Sequence, residues 1–151
     1  MADVPVEIWQ IARDEDQRDM VLLRDAQGRV LPIVIGVCEA AAIWVVLSPT
    51  LAKPYVRRPW THDLMLALLE RFGARLDHVV IDGYTDGVFY ATLHLLLHGE
   101  ELLIDARPSD AIALLLRADV PLLVHDEVLQ EAGLLPNETE DDGPDFDEGL
   151  R

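Results

Sequence analysis

The stretch Glu101-Leu102-Leu103-Ile104-Asp105-Ala106-Arg107-Pro108-Ser109-Asp110-Ala111-Ile112-Ala113-Leu114-Leu115-Leu116-Arg117 changes its character at the centre. Glu101 to Asp105 reads as an apolar strand, and Ser109 to Arg117 as a helix with little polar face. Pro108 fits the first helical position, where its missing N–H is no loss and its fixed φ is already helical. Two carboxylates, a guanidinium and a hydroxyl therefore fall at a strand-to-helix junction. Backbone N–H groups and the positive end of a helix dipole gather there, and they can hold a phosphate, a metal-bound carboxylate or one another.

Upstream, Ala74 to Tyr84 and Val88 to Leu97 read as strands around Thr85-Asp86-Gly87, and His98-Gly99-Glu100 turns the chain into the strand that opens the junction, which makes a meander. The first third is also β: Val4 to Ile11, a polar break at Arg13-Asp14-Glu15-Asp16, then Met20 to Arg24 and Val30 to Ile35 flanking Asp25-Ala26-Gln27-Gly28. Between the two β regions, Glu39 to Leu47 is apolar nearly all round, as a buried helix would be, until Ser48-Pro49 stops it. Thr61 is placed to cap a further helix, with Asp63 in its first turn, Leu64, Leu68 and Phe72 along one face and Gly73 at its end. After the junction helix come a short strand, Pro121 to Val124, and a helix from Glu127 to Ala132 that Asp126 can cap and Gly133 ends. This order predicts an α+β fold, a mixed and largely antiparallel sheet with three to four helices packed on it in a single compact domain over residues 1–136. Residues 137–151 read as an acidic, disordered tail.

Length and composition agree with one domain, since 151 residues of which 50% are hydrophobic can build a core. No apolar run approaches the roughly 18 residues that cross a bilayer, and the N-terminal Met1-Ala2-Asp3-Val4-Pro5-Val6-Glu7 carries acids where a signal peptide has Lys or Arg. We expect a cytoplasmic protein with no membrane partner. The single Cys38 lies among apolar residues and reads as buried and inert. The net charge is -16, of which -6 falls in the tail, leaving -10 for residues 1–136. An acidic body opposes loose attachment to a polyanion, so any nucleic-acid contact requires a local basic patch or bridging cations. The cluster Lys53, Arg57 and Arg58, in irregular backbone between Thr50 and Trp60, is such a patch. Two helices apolar on most of their surface imply burial on two sides, which predicts a homo-oligomer.

The five histidines do not form a zinc pattern. His94 and His98 are four residues apart on a strand, roughly 13 Å at about 3.3 Å per residue, and Asp77 beside His78 is expected on the opposite face. The acids are better candidates. Glu39 opens an apolar helix, Asp63 and Asp110 lie in first turns, Asp86 in a hairpin and Asp105 at a strand end. Such carboxylates can hold Mg²⁺ or Mn²⁺, which activates water and neutralises charge on a phosphodiester. Equally, Asp63 and Asp110 serve helix dipoles, Asp86 its turn, and Glu39 and Asp105 pair with Arg107. Arg107, Arg57 and Arg58 could contact phosphates or pair within an acid-rich chain. No Gly-rich phosphate loop, Gly-x-Ser-x-Gly elbow or Cys/His nucleophile pair occurs.

Four blocks follow one another along the chain: Leu31-Pro32-Ile33-Val34-Ile35-Gly36 with Glu39-Ala40, Thr61-His62-Asp63-Leu64, Asp86-Gly87-Val88-Phe89-Tyr90-Ala91, and the junction from Asp105 to Leu114. In these the chain, from about Val4 to Gly133, resembles the bifunctional nuclease domain family. The resemblance implies a compact α+β domain, commonly oligomeric, and degradation of both RNA and DNA. Its motifs carry Glu39, His62, Asp63, Asp86, Asp105, Arg107, Ser109 and Asp110; the loop from Thr50 to Trp60 departs from the family pattern. The expectation is a nuclease acting on RNA and DNA with little sequence preference, assisted by Mg²⁺ or Mn²⁺. In it Glu39, Asp63, Asp105 and Asp110 hold the metal. The catalytic residues are His62 as general acid or base, Arg107 as charge stabiliser, and Asp105 and Asp110. The alternative is a non-enzymatic oligomeric scaffold or small-ligand regulator, in which the same residues are caps and ion pairs.

Overall fold

The computed structural model describes residues 2–48 and 58–136; Lys53, Arg57 and the acidic tail lie outside the described residues. The chain forms one seven-stranded sheet from two antiparallel units. The first contains β1 (Asp3–Arg13), β2 (Asp19–Asp25) and β3 (Val30–Val34). The second contains β4 (Ala74–Thr85), β5 (Val88–Leu97) and β6 (Glu100–Ala106). The four-residue β7 (Leu122–His125) sews them together, antiparallel to β1 and parallel to β4, giving the order β3-β2-β1-β7-β4-β5-β6. The mixed, largely antiparallel sheet of the sequence reading is thus present, and its one parallel pair is made by β7.

The turns of the second unit follow from their residues. Asp86 and Gly87 have φ of 51° and 79°, and His98 and Gly99 have 52° and 83°, so both hairpins close with two left-handed residues. That geometry matches the right-handed strand twist, and Gly in second place adopts it without strain.

Four helices occur among the described residues: α1 (Val37–Leu47), α2 (Thr61–Arg71), α3 (Pro108–Ala118) and α4 (Asp126–Ala132). One core joins them to the sheet. It contains Val21, Leu23, Leu31 and Ile33 from the first unit, Val79, Ile81, Leu93 and Leu95 from the second, and Ile43, Ile112, Leu114 and Leu129 from the helices. α3 is its centre. Seven of its eleven residues are buried, with Pro108 at the first position as expected. The second buried side of α3, which the sequence reading gave to a neighbouring subunit, is covered by α1 and α2 of the same chain.

Three local expectations change. Only Ala40, Ala42 and Ile43 of α1 are buried, and Cys38 is exposed on its solvent side, because this helix covers α3 rather than being enclosed. Trp60, not Thr61, caps α2, and its N–H donates to the Asp63 carboxylate at 2.8 Å. The apolar stripe of α2 faces outward, with Leu64 and Leu68 each 51% exposed and Phe72 75% exposed. The inward stripe is His62, Leu66 and Leu69, and a hydrogen-bonded histidine occupies the position that periodicity would have given to a leucine.

Arg117 ties the three larger helices. Its Nε donates to Asp63 at 3.0 Å and its Nη1 donates to the carbonyls of Ala42 and Ala113 at 3.0 and 2.9 Å. Its side chain is only 6% exposed, so removing it strands buried acceptors in a medium that cannot replace the donor. Arg117→Met should lower the unfolding free energy by about 2 kcal/mol, read from the urea midpoint. An unchanged midpoint would show that the three bonds are dispensable.

Candidate active site

A cleft of about 790 Å³ opens where the end of β3, the β4–β5 turn and the start of α3 meet. Ile33, Ile35, Tyr84 and Phe89 give it apolar walls, Glu131 of α4 lies at one side, and Glu39, Arg107 and Ser109 provide further polar groups. Tyr84 and Phe89 lie 4.6 Å apart, centroid to centroid, at a tilt of 39°. Two helices begin here. Gly36 precedes α1 and Arg107 precedes α3, and neither start is capped by a side-chain hydrogen bond. The first-turn N–H groups of both helices have no carbonyl four residues back, and a carboxylate stands in each first turn, Glu39 in α1 and Asp110 in α3, with Arg107 paired to both.

One chain of polar contacts runs from this cleft into the core. Glu39 Oε1 accepts from Arg107 Nη1 at 3.2 Å, and Arg107 Nε donates to Asp110 Oδ2 at 2.9 Å. Asp110 Oδ1 in turn lies 3.0 Å from His62 Nε2. Arg107 is its most exposed member, and from there inward exposure falls from 65% to 30% for Asp110 and 11% for His62. Burial alone would raise the Asp110 pKa. The hydrogen bonds and charges of Arg107 and His62 outweigh it and hold the carboxyl below its ordinary range. The Asp110 and Glu39 carboxylates together raise the pKa of Arg107 further above its already high value.

An ionised Asp110 only accepts, so His62 Nε2 carries the proton in this contact. The other ring nitrogen, Nδ1, is buried with no hydrogen-bond partner. His62 therefore offers neither nitrogen to the cleft in this arrangement, and what it does is hold Asp110. Gly36 serves Glu39 in a different way. A Cβ at this position would fall on the Glu39 carboxylate, which folds back over the start of its own helix.

Of the residues expected at the site, the fold brings Glu39, His62, Arg107 and Asp110 into one chain and sets Ser109 beside it. It does not bring in Asp63, which is bound to Trp60 and Arg117. Asp105 is paired in register with Thr92 on the sheet face away from the helices, and Asp86 occupies the β4–β5 turn. The four carboxylates expected to share Mg²⁺ or Mn²⁺ thus have three separate destinations. The two that meet, Glu39 and Asp110, are both engaged by Arg107. Among the described residues no group of three or more His, Cys, Asp or Glu side chains is placed to hold one metal ion. This donor set does not fit a divalent hard cation, which needs several oxygen ligands around one point.

Sequence reasoning missed a second cluster. A bulge between Leu76 and His78 puts Asp77 and His78 on the same face of β4, against the expectation of opposite faces, and His78 pairs directly across with His94. Strict alternation cannot reveal a bulge, and no turn residue marks this one.

The chain is similar to known proteins over most of its length. The family model described as bifunctional nuclease domain matches residues 21–137. The chain belongs to the bifunctional nuclease domain family. It is 40% identical over 144 residues to an uncharacterized protein of Mycobacterium tuberculosis, covering 94% of this chain and 83% of that one. It is 28% identical over 125 residues to bifunctional nuclease 1 of Oryza sativa subsp. japonica, covering 81% of this chain but 37% of the rice protein. With bifunctional nuclease 2 of the same plant the identity is 27% over 115 residues, covering 74% and 34%. The bifunctional nuclease domain as matched contains the whole polar chain from Glu39 to Asp110, whereas β1 precedes it. No helix among the described residues is long and apolar enough to cross a membrane.

The depressed pKa of Asp110 has a direct consequence for stability. Its contribution is present above the ordinary carboxyl value of 3.8 and is lost as the pH falls through the lower folded value. In urea denaturations, the stability difference between the native chain and Asp110→Asn should stay constant above about pH 5 and shrink in more acidic solution. A difference that grows towards acid would contradict an ionised Asp110 in the folded state.

Proposed function

We propose that the cleft binds and hydrolyses phosphodiester bonds of RNA and DNA, with Arg107 as the phosphate anchor. The observation that carries this reading is the position of Arg107: mostly exposed at a cleft mouth, held on one side by Asp110 and Glu39, beside two helix starts without side-chain caps. Such starts attract anions, and a guanidinium can hold a phosphate through two parallel N–H donors. The family and the printed names of the rice relatives support a nucleic-acid substrate. Tyr84 and Phe89 add walls against which a base can stack, a contact that does not depend on sequence.

In this reading water attacks phosphorus as the bond to the sugar oxygen breaks. Glu39, the carboxylate nearest the anchor on the cleft wall, takes the proton from the attacking water, and solvent protonates the departing oxygen. Arg107 neutralises the charge that builds on the non-bridging oxygens, and Asp110 and His62 keep its guanidinium in place.

The test is cleavage of labelled RNA and DNA by chain purified to homogeneity, with Mg²⁺, with Mn²⁺ and with EDTA. Arg107→Ala should reduce the rate by about 100-fold, and Glu39→Gln by a similar factor, with the fold retained. Equal rates for Arg107→Ala and the native chain would overturn the reading. The mutual neutralisation of Glu39, Arg107 and Asp110 favours a second one, a non-enzymatic scaffold. It predicts no cleavage by any variant and a lowered melting temperature for Arg107→Ala.

A further inference from the structure

The sheet face turned away from the helices carries a pair of histidines unconnected with the cleft. Leu93 and Leu95 point into the core, so His94 between them points outward, and His78 is its direct cross-strand partner. Their rings stack with centroids 4.2 Å apart and planes 19° from parallel. His78 Nδ1 lies 2.8 Å from Asp77 Oδ2, and His94 Nδ1 lies 2.9 Å from Glu101 Oε1. A carboxylate only accepts, so each contact puts the proton on Nδ1. In the neutral ring Nε2 then keeps its lone pair. Two adjacent imidazoles, each with Nδ1–H held by a carboxylate, form the arrangement in which a second carboxylate shell orients histidine ligands towards a metal.

We propose that His78 and His94 form a two-histidine site for a borderline divalent ion of the Zn²⁺ type on the open face of the sheet, with water completing the coordination. Imidazole nitrogen suits Zn²⁺, Ni²⁺ and Cu²⁺ and not Mg²⁺, so this site differs in chemistry from the carboxylate set expected from the sequence. Bonds of about 2.0–2.1 Å at a tetrahedral angle require the two Nε2 atoms about 3.3 Å apart. From the stacked arrangement, centroids 4.2 Å apart, metal binding requires both rings to turn about their side-chain bonds until the two Nε2 lone pairs converge. Asp77 and Glu101 also offset part of the positive charge of the bound ion. They act as positioning residues, since their oxygens are directed at the rings.

Isothermal titration of the untagged full chain with zinc chloride tests the site. The native chain should bind one Zn²⁺ per chain. His78→Ala and His94→Ala should each weaken binding at least tenfold, the double variant should bind no better than either single one, and Asp77→Asn should weaken binding by about 10-fold or more. The companion measurement requires no variant. Nitrogen resonances of the histidine rings, followed as Zn²⁺ is added, should move at Nε2 of His78 and His94 and stay fixed for His62 and His98. Absence of binding by the native chain, equal binding by the histidine variants, or shifts confined to other histidines would each overturn the proposal.

Discussion

The carboxylate of Asp110 is the point on which the arrangement of this protein turns. It sits in the first turn of α3, the most buried helix, where the dipole favours a negative charge, and it spends one oxygen on His62 of α2 and the other on Arg107. Through Arg107 the same contact reaches Glu39 of α1. Three helices and the end of β6 are thereby fixed against one another by charge-assisted hydrogen bonds that lie between core and solvent. At the opposite end of α3, Arg117 makes a second tie to the same two helices through Asp63 and the Ala42 carbonyl. Apolar burial drives the helices onto the sheet; these two ties decide how they sit there, because an unpaired buried charge is far more costly than a lost apolar contact.

The same constraint shapes the cleft. A free arginine side chain samples many rotamers and binds a phosphate only after losing that freedom. Arg107 has already lost it to Asp110 and Glu39, while most of its surface still faces water. Preorganisation of this kind places a positive group in a protein whose net charge is -16, so the cleft works against the global field only over short distances.

Much of the fold was legible because its signals are local. Asp86-Gly87 and His98-Gly99 specify their hairpins by backbone conformation, and Pro108 specifies where α3 starts. The junction from Asp105 to Asp110 was legible as a polar cluster, yet its two acids part company. Asp105, still on the strand, follows the alternation to the open face, while Asp110 follows the helix to the cleft. What periodicity could not supply was any decision made by distant partners. His62 takes the inward face of α2, where Asp110, 48 residues away, accepts from its Nε2. The insertion of β7 between β1 and β4 depends on pairing across the whole chain. The bulge that brings Asp77 beside His78 has no residue signature at all.

The central claim is that Asp110 acts on the phosphate only through Arg107. A double-mutant cycle measures this directly, using the affinity of the native chain, Asp110→Asn, Arg107→Ala and the double variant for a fluorescent, hydrolysis-resistant single-stranded phosphorothioate oligonucleotide at low salt. The account predicts that Asp110→Asn weakens binding in the native background and has no further effect once Arg107 is absent. Equal and additive losses in both backgrounds would contradict it.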